Sequence, residues 1–198
     1  MDWQAIKERL VVWREDRFDT ATESNSTKVV LIVAAVYLLL AISVGMYWSM
    51  MPAQFPVQEN AIVMAERSQQ SVAVGSTTTA ALIQVISTLL DKPGGFMSND
   101  VMPPGLWLDN IKNWEYGALI QSRDLTRALR ESFSRSQSQS KEDLDLGKAE
   151  PSLNFSSDSW TLPASESEYK SAVKHLNRYL VRLEDTGNSG SQFYARSD

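Results

Sequence analysis

Hydrophobic residues are concentrated in one uncharged stretch near the start of the chain, at residues 29–51. A helix of that length crosses the hydrocarbon layer of a bilayer, which is about 30 Å thick. A lone segment in lipid satisfies its backbone hydrogen bonds only as a helix. The pattern therefore predicts one transmembrane helix. We interpret it as an uncleaved signal anchor, because no small-residue cleavage site follows it.

Positive charge is distributed unevenly around this stretch. Five Lys and Arg residues precede it, whereas the twenty residues that follow it contain only Arg67. Because Lys and Arg close to a membrane helix resist translocation, the N-terminus is predicted to be cytoplasmic. Residues 52–198 are then predicted to lie outside the cytoplasm. Because the chain contains no cysteine, we interpret that compartment as the bacterial periplasm, where exported domains held by packing alone are common.

Small residues form a stripe along one face of the predicted transmembrane helix. Ala34, Ala41 and Gly45 belong to this stripe, and the last two have the small-xxx-small spacing of closely packed membrane helices. Self-association of the chain through this face, giving a homo-oligomer, is therefore one hypothesis. The alternative is that Ala and Gly occur here only because they are common in membrane helices.

The segments on either side of the transmembrane helix are short. Residues 1–28 are predicted to form a cytoplasmic amphipathic helix and a loop, with the apolar face of the helix resting on the inner leaflet or, alternatively, in the groove of a partner. The apolar residues of that face are Trp3, Ile6, Leu10 and Trp13. Residues 52–75 are predicted to be a juxtamembrane linker, which Pro52 and Pro56 separate from the membrane helix.

Residues 76–185 are predicted to form a helical periplasmic domain. Apolar residues at helical spacing indicate helices at residues 76–90, 109–134 and 165–185. The expected N-caps are Ser76 or Thr77, Asp109, and the capping-box pair Ser165 and Glu168. The predicted fold class is therefore mainly α, with a single transmembrane helix and a small helical extracytoplasmic domain. Residues 186–198 form a polar tail that does not resemble a domain end, and we expect the natural chain to continue beyond it.

Three connecting segments differ in character. Residues 94–108 are rich in Pro and Gly but also apolar, which predicts an ordered loop packed on the helices. The apolar residues of this loop are Phe96, Val101, Met102, Leu106, Trp107 and Leu108. Residues 134–152 are rich in Ser, Gln and charge, and we expect a mobile connection with at most one short turn. Residues 154–162 are predicted to be extended and anchored by Phe155, Trp160 and Leu162.

Composition excludes several classes of function. The net charge is −5, so the chain lacks the cationic excess of nucleic-acid-binding proteins. It contains no cysteine and one histidine, which excludes disulfides, iron–sulfur clusters and a zinc hydrolase site. No phosphate loop, nucleotide fingerprint or calcium loop occurs. We therefore predict no cofactor and no metal.

Four arginines could form a basic strip on the second predicted helix, namely Arg123, Arg127, Arg130 and Arg135. They lie opposite its apolar side, which consists of Ile111, Trp114, Ala118, Leu125, Leu129 and Phe133. A solvated face is the simpler interpretation, because amphipathic helices keep their charges there and Asp124 and Glu131 are spaced to pair with them. An anion-binding site is the alternative.

Few residues suit acid–base chemistry. His175, the only histidine, is predicted to lie on the surface beside Arg178. The carboxylates Asp100, Asp109 and Glu115 flank the Pro/Gly-rich loop, and a pair of carboxylates is what glycoside hydrolysis requires. A helix cap for Asp109 and a turn for Asp100 are simpler roles, so we predict that the protein is not an enzyme and has no catalytic residue.

Two groups of apolar residues are candidates for contacts with a partner. Aromatic residues in and after the loop, which could line a groove or belong to the core, are Phe96, Trp107 and Trp114. A heptad-like seam on the last helix has little left to pack on within the predicted domain, so another subunit could cover it. The residues of this seam are Tyr169, Leu176, Leu180 and Leu183.

Several runs of sequence resemble a known family. They are DKPGG, SNDVMPPGLWLDNIKNWEYGALIQSRDLTRALR, SRSQSQS, SWTLPASESEY and LNRYLVRL. Between about residues 78 and 185 the chain resembles an uncharacterised family of single-pass inner-membrane proteins of Gram-negative bacteria. The resemblance implies a membrane anchor and a largely helical periplasmic body, without an established activity.

The sequence therefore predicts a bacterial inner-membrane scaffold or interaction protein. Its expected partners are the lipid bilayer and a protein of the cell envelope, and its expected mechanism is tethering. Two alternatives stay open. One is a periplasmic ligand sensor or co-receptor without its own output domain, and the other is a carboxylate-dependent envelope hydrolase.

Overall fold

The computed structural model describes Lys7 and residues 25–135, 141–185, 187 and 191–194. The predicted amphipathic face of Trp3, Ile6, Leu10 and Trp13 lies outside these residues. The described part contains six α-helices and no strand, which confirms the mainly α fold class. The chain divides into two compact units, Met1–Met46 and Tyr47–Asp198.

The helices of the described part follow one another with short connections. In chain order they are α1 (Asn25–Trp48), α2 (Val57–Arg67), α3 (Ser76–Asp91), α4 (Asp109–Ala128), α5 (Leu146–Leu153) and α6 (Ser165–Glu184). A 3₁₀ turn, Gly105–Trp107, precedes α4, and a π-helical turn, Leu129–Phe133, extends it. The three body helices predicted from apolar periodicity, α3, α4 and α6, are therefore confirmed.

Helix α1 contains the apolar stretch. Its part Ser26–Trp48 is long and apolar enough to cross a membrane, and a signal sequence near an N-terminus would have the same character. Large aliphatic side chains along it are exposed, including Leu31 at 64% and Leu39 at 65%. Such exposure is unusual for a helix that belongs to a protein core. The helix ends before Pro52, as predicted.

Helix α2 lies where the sequence was interpreted as a juxtamembrane linker, and that interpretation is wrong for residues 57–67. The helix packs on α3 through Ala61 and Ala65, which are 1% and 2% exposed. The side-chain amide of Asn60 donates a hydrogen bond to the Ala80 carbonyl oxygen of α3, at 3.2 Å. Small residues one turn apart allow this close approach, but they give only a weak hydrophobic signal.

The predicted N-caps are wrong, although the helices begin close to them. The N-cap positions are Gly75, Leu108 and Ala164, and none of them makes a side-chain capping hydrogen bond. Ser165 instead donates its hydroxyl to the Ser156 carbonyl oxygen, at 2.7 Å. Its hydroxyl is therefore used to hold the preceding loop against the start of α6.

Helix α5 lies within the segment that was predicted to be a mobile connection. Leu146, Ala149 and Leu153 are each 0% exposed and lie on one face of the helix. This face packs against α6, so the segment is part of the core rather than a solvated linker. Its apolar residues follow a helical spacing, but the polar residues around them concealed it.

The core of the body lies between α3, α4, α5 and α6. Helix α6 contacts α3 and α5, and α4 contacts the same two helices. Tyr169 of α6 is fully buried and packs edge-on against Phe96, with ring centroids 5.3 Å apart. The fully buried members of the core include Ile86, Leu89, Leu119, Leu129, Leu146, Leu153, Leu176 and Tyr179.

The segment at residues 154–162 is not anchored as predicted. Phe155 is partly buried against the core, but Trp160 is 61% exposed and Leu162 is 99% exposed. The segment contains no strand, so the alternation of buried and exposed positions expected of an extended piece does not apply.

Part of the predicted polar tail returns to the body. Phe193 stacks on Phe133 with ring centroids 5.0 Å apart, and the Tyr194 amide donates a hydrogen bond to the Phe133 carbonyl oxygen at 2.7 Å. Phe193 also lies against Gly75, where a Cβ atom would collide with the ring. Gly75 has a φ of +90°, so both its conformation and its contact require glycine.

The role of α5 in the core can be tested by shortening one side chain. We expect Leu146→Ala to lower the free energy of unfolding by about 2–5 kcal/mol, because it opens a cavity in a fully buried position. Leu144→Ala, at a position that is 81% exposed, is the matched control and should change it by no more than about 0.5 kcal/mol. The measurement is chemical denaturation of the purified full-length protein. Equal, small effects of the two substitutions would contradict the packing of α5.

Candidate interaction site

A buried ion pair lies at the base of the Pro/Gly-rich loop. Lys92 follows the last residue of α3, and Glu115 lies in the second turn of α4. The Lys92 ammonium nitrogen is 2.5 Å from the Glu115 carboxylate, and both side chains are 0% exposed. The pair therefore joins the end of one helix to the interior of the next.

The loop backbone folds around the same carboxylate. The Met97 amide donates hydrogen bonds to both oxygens of Glu115, at 2.9 and 3.1 Å, and the Ser98 hydroxyl donates another at 2.7 Å. Lys92 also donates to the Gly95 carbonyl oxygen. Each charge thus has several partners, which offsets the cost of removing it from water.

The second half of the base is held by polar contacts with α4, α6 and the loop before α6. The Asn99 side-chain amide donates hydrogen bonds to the Ser159 carbonyl oxygen, at 2.9 Å, and to the Glu166 carboxylate, at 3.0 Å. The Lys112 ammonium donates to the Asp100 carbonyl oxygen, at 3.2 Å. Burial raises the pKa of the Asp100 carboxyl, while the Lys112 charge opposes that shift.

The loop tip, residues 101–107, projects apolar side chains into solvent. Val101, Met102, Leu106 and Trp107 are 54%, 69%, 55% and 55% exposed. No charged residue occurs in the tip. An exposed cluster of large apolar side chains on a well-ordered base is typical of an interaction site, because a monomeric protein gains nothing from leaving it in water.

Polar residues border this tip. Asp109 and Asn113 are exposed in the first turns of α4, and the Asn113 amide donates a hydrogen bond to the Asp109 carboxylate at 3.4 Å. Tyr116 is 56% exposed one turn further on. An apolar centre with a polar rim is the usual composition of a protein–protein interface.

The structure separates the predicted interaction residues into three groups. Trp107 is exposed, and Trp114 and Leu183 are partly buried against the core. The fully or almost fully buried residues are Phe96, Tyr169, Leu176 and Leu180. These four have no surface to offer to a partner, and the chain's own α3 and α5 cover the seam of α6.

The expected burial of the whole loop is also corrected. Phe96 and Met97 are 3% and 0% exposed, but the apolar residues after Asp100 point outward. At Gly105 a Cβ atom would collide with the Asp100 carboxylate, so the chain passes too close to this side chain for any other residue. Hydrophobicity alone does not distinguish the buried from the exposed half of such a loop.

The predicted membrane helix-packing residues all lie on α1. Ala34, Ala41 and Gly45 follow one another along this helix as the sequence spacing indicated. A single chain does not test whether this stripe contacts a second copy, so self-association stays a prediction.

The arginine strip on α4 is paired internally. Arg127 and Arg130 contact the Glu150 carboxylate of α5, and Arg130 and Arg135 contact Glu142 at 2.9 and 3.2 Å. The charges that were interpreted as a solvated face or an anion site therefore hold α5 and its preceding loop on α4.

Arg123 has a different role from the other three. Its guanidinium donates hydrogen bonds to the carbonyl oxygens of Leu153 and Phe155, at 2.6 and 2.8 Å. These carbonyls lie at the C-terminal end of α5, where backbone acceptors lack partners within the helix. Arg123 thus caps α5.

The sequence did not reveal a second polar cluster, which includes the only histidine. His175 was predicted to lie on the surface, but its side chain is 13% exposed and its Nδ1 lies 2.7 Å from Asp145. Arg182 also contacts Asp145 and binds both oxygens of Asp143, at 2.9 and 3.0 Å. The Ser191 hydroxyl donates to Asp143 at 2.7 Å, so the cluster also holds the C-terminal segment.

The electrostatics of this cluster favour the ionised form of Asp145. Burial by itself would raise the pKa of Asp145, but hydrogen bonds with His175 and Arg182 hold it below its ordinary value. Ser191 contacts Asp143 rather than His175, so this arrangement is not a catalytic triad. Among the described residues, no group of three or more His, Asp or Glu side chains could hold a metal ion.

Together, these features define a helical protein with one helix apolar enough to span a membrane and an apolar loop on a rigid base. The chain belongs to the family described as an uncharacterized protein conserved in bacteria (DUF2333), whose profile matches residues 21–198. No curated protein and no solved structure matched the chain. Membership of this family confirms the coarse resemblance and assigns no activity.

The dependence of the loop base on the buried ion pair can be tested. Lys92→Met leaves the Glu115 carboxylate buried without its counter-charge, and we expect the free energy of unfolding to fall by about 3–5 kcal/mol. Adding Glu115→Gln should recover part of this loss, because the amide oxygen still accepts the Met97 hydrogen bond without a charge.

A surface cation provides the control for this experiment. Arg127 is more than half exposed, and its partner Glu150 keeps Arg130, so Arg127→Met should cost less than about 1 kcal/mol. Chemical denaturation of the full-length protein measures all three variants. If Lys92→Met costs no more than Arg127→Met, the ion pair does not support the loop.

Proposed function

We propose that the protein is a membrane-anchored scaffold that binds a protein partner through its loop tip, residues 101–107. In this proposal α1 spans the bacterial inner membrane, the N-terminus is cytoplasmic and the body lies in the periplasm. The observation that carries the proposal is the exposure of four large apolar side chains on a base that is fixed by buried polar contacts.

The anchor is supported by length, composition and charge. Ser26–Trp48 is apolar enough to cross a bilayer, and Lys28 lies near its N-terminal end. The excess of Lys and Arg before the helix favours a cytoplasmic N-terminus. The body contains no cysteine and is held together by side-chain packing and ion pairs, which is compatible with folding after export.

The composition of the tip supports binding of a protein. Trp, and to a smaller degree Met, is enriched at the centre of interfaces, where a few residues supply most of the binding energy. Trp107 and Met102 are available for such a role, because more than half of each side chain is exposed. The fixed base means that little conformational entropy is lost when the tip is bound.

Two buried carboxylates of the body, Glu115 and Asp145, support association rather than catalysis. Glu115 is neutralised by Lys92, and Asp145 is bound by His175 and Arg182. Each of these groups joins two segments of the chain, and each has its hydrogen-bonding capacity committed to that contact. A hydrolase would need a carboxylate free to exchange protons with a substrate.

Tethering gives such a binding site its physical effect. A tip held near a membrane meets other envelope proteins at an effective concentration that is set by the tether rather than by the bulk solution. Even a weak contact of a few apolar side chains can then be occupied. The scaffold would work by holding its partner near one place in the membrane.

The proposed topology can be tested with single cysteines, because the chain contains none. Leu162→Cys lies at a position that is 99% exposed on the body, and Asp19→Cys precedes the apolar helix. We expect a membrane-impermeant maleimide to label position 162 in cells with a permeable outer membrane and to reach position 19 only after inner-membrane lysis. The reverse pattern would place the body in the cytoplasm, and labelling of both positions in intact cells would exclude a membrane-spanning α1.

The proposed binding surface can be tested with two exposed tryptophans. A photoreactive amino acid at Met102 should cross-link a specific protein in living cells, which mass spectrometry can identify. We expect Trp107→Ala to weaken binding of that protein about 30-fold, as truncation of a central interface residue typically costs about 2 kcal/mol. Trp160→Ala, at 61% exposure, is the matched control and should have no effect. Cross-links to lipid alone, or equal effects of the two substitutions, would contradict the scaffold.

A further inference from the structure

We infer that the partner of the loop tip is an integral protein of the same membrane, bound beside the outer headgroup layer, rather than a soluble periplasmic protein. This inference rests on the proposed function and names its partner class. The observation behind it is the contact between Trp48, where the apolar helix ends, and Gly94 at the start of the loop.

The contact at Gly94 is close. A Cβ atom on this residue would lie 2.9 Å from the Trp48 indole carbons Cγ and Cδ2, so only glycine allows the approach. Gly94 also has a φ of +85°, which independently favours glycine. Pro52 and Ala53, which follow the helix, line a cleft next to Lys92. The loop base is therefore packed against the residues through which the chain leaves the apolar helix.

The position of Trp48 then limits the distance between the loop and the bilayer. A tryptophan at the end of a membrane-spanning helix prefers the headgroup region. Val101, the first residue of the tip, is seven residues from Gly94 and so at most about 25 Å from it. The tip is thus restricted to a zone close to the bilayer, where the protein surfaces it meets most often are those of other membrane proteins.

The charges around the tip favour a protein over lipid as its occupant. The carboxylates of Asp100 and Asp109 bracket the tip, and Asp109 is exposed. Insertion of the tip into a bilayer would bring these carboxylates toward hydrocarbon and toward anionic headgroups, both of which are unfavourable. A protein cleft with an apolar floor and a Lys or Arg at its edge would instead complement both the tip and its rim.

A rigid spacer distinguishes the partner classes. Fifteen residues of a helix-forming (EAAAK) repeat, inserted after Met51, should raise the body by about 22 Å. A flexible Gly/Ser insert of equal length at the same place is the matched control, because it lets the body return to the membrane. Cross-linking is measured from the photoreactive amino acid at Met102 of the otherwise native full-length chain.

We expect the rigid spacer to reduce the cross-linked adduct at least tenfold and the flexible spacer to reduce it much less. The captured protein, once identified by mass spectrometry, should stay in the membrane fraction when membranes that have not been cross-linked are washed with alkali. An adduct that survives the rigid spacer, or a captured protein that the wash removes from uncross-linked membranes, would indicate a soluble partner and overturn this inference while leaving the scaffold intact. Adducts with lipid alone in every variant would overturn the scaffold itself.

Whether each variant folds is checked separately. The Leu162→Cys position, 99% exposed and far in sequence from the insertion, reports export of the body by maleimide labelling. Each spacer variant should keep a single cooperative unfolding transition, because the helices that form the core, α3 to α6, all follow the insertion. A rigid-spacer variant that is exported and stable but gives no adduct is the result that supports an integral partner.

Discussion

The buried pair of Lys92 and Glu115 is the interaction on which the candidate site depends. Burying two charges costs several kcal/mol of free energy unless each has hydrogen-bond or ion-pair partners with good geometry. Glu115 finds them only when the Met97 amide and the Ser98 hydroxyl turn toward α4. The chain after α3 therefore has one satisfactory path, with Phe96 and Met97 inside. The ion pair selects the loop conformation, and the exposure of the tip is a consequence of that selection.

The other charged clusters of the body act in a similar way. Arg127 and Arg130 bind Glu150 to hold α5 on α4, while Arg182 binds Asp143 and Asp145 in front of α5. A helix with few apolar residues is thus held by ion pairs at Glu150 in its second turn and at the residues just before it. These charges are engaged internally, whereas the tip is uncharged, and its cluster of four exposed apolar side chains is a feature that packing within the chain does not explain.

Sequence periodicity predicted the parts of the fold that depend on many apolar residues. Helices α3, α4 and α6 each carry enough of them to be recognised, whereas α2 and α5 bury only two to four residues each and lie among polar ones.

The site was harder to predict. Lys92 and Glu115 are 23 positions apart and each resembles a solvated residue in isolation. Their pairing depends on how α3 crosses α4, and that is decided by the core. Trp107 is exposed and suits the predicted interaction role, but Phe96 is buried against Tyr169 of α6, and Leu176 lies on the face of α6 that α3 and α5 cover.

A rigid base has a particular value for a protein tethered beside a membrane. A flexible apolar loop close to the bilayer could make three kinds of contact. It could collapse onto its own body, contact lipid or contact a partner. The contacts of Lys92, Glu115 and Asn99 remove the first outcome, because they hold the base in one conformation. The carboxylates of Asp100 and Asp109 disfavour the second. In the proposed scaffold, binding to a protein is the favoured outcome, and a base held in one conformation lowers its entropic cost.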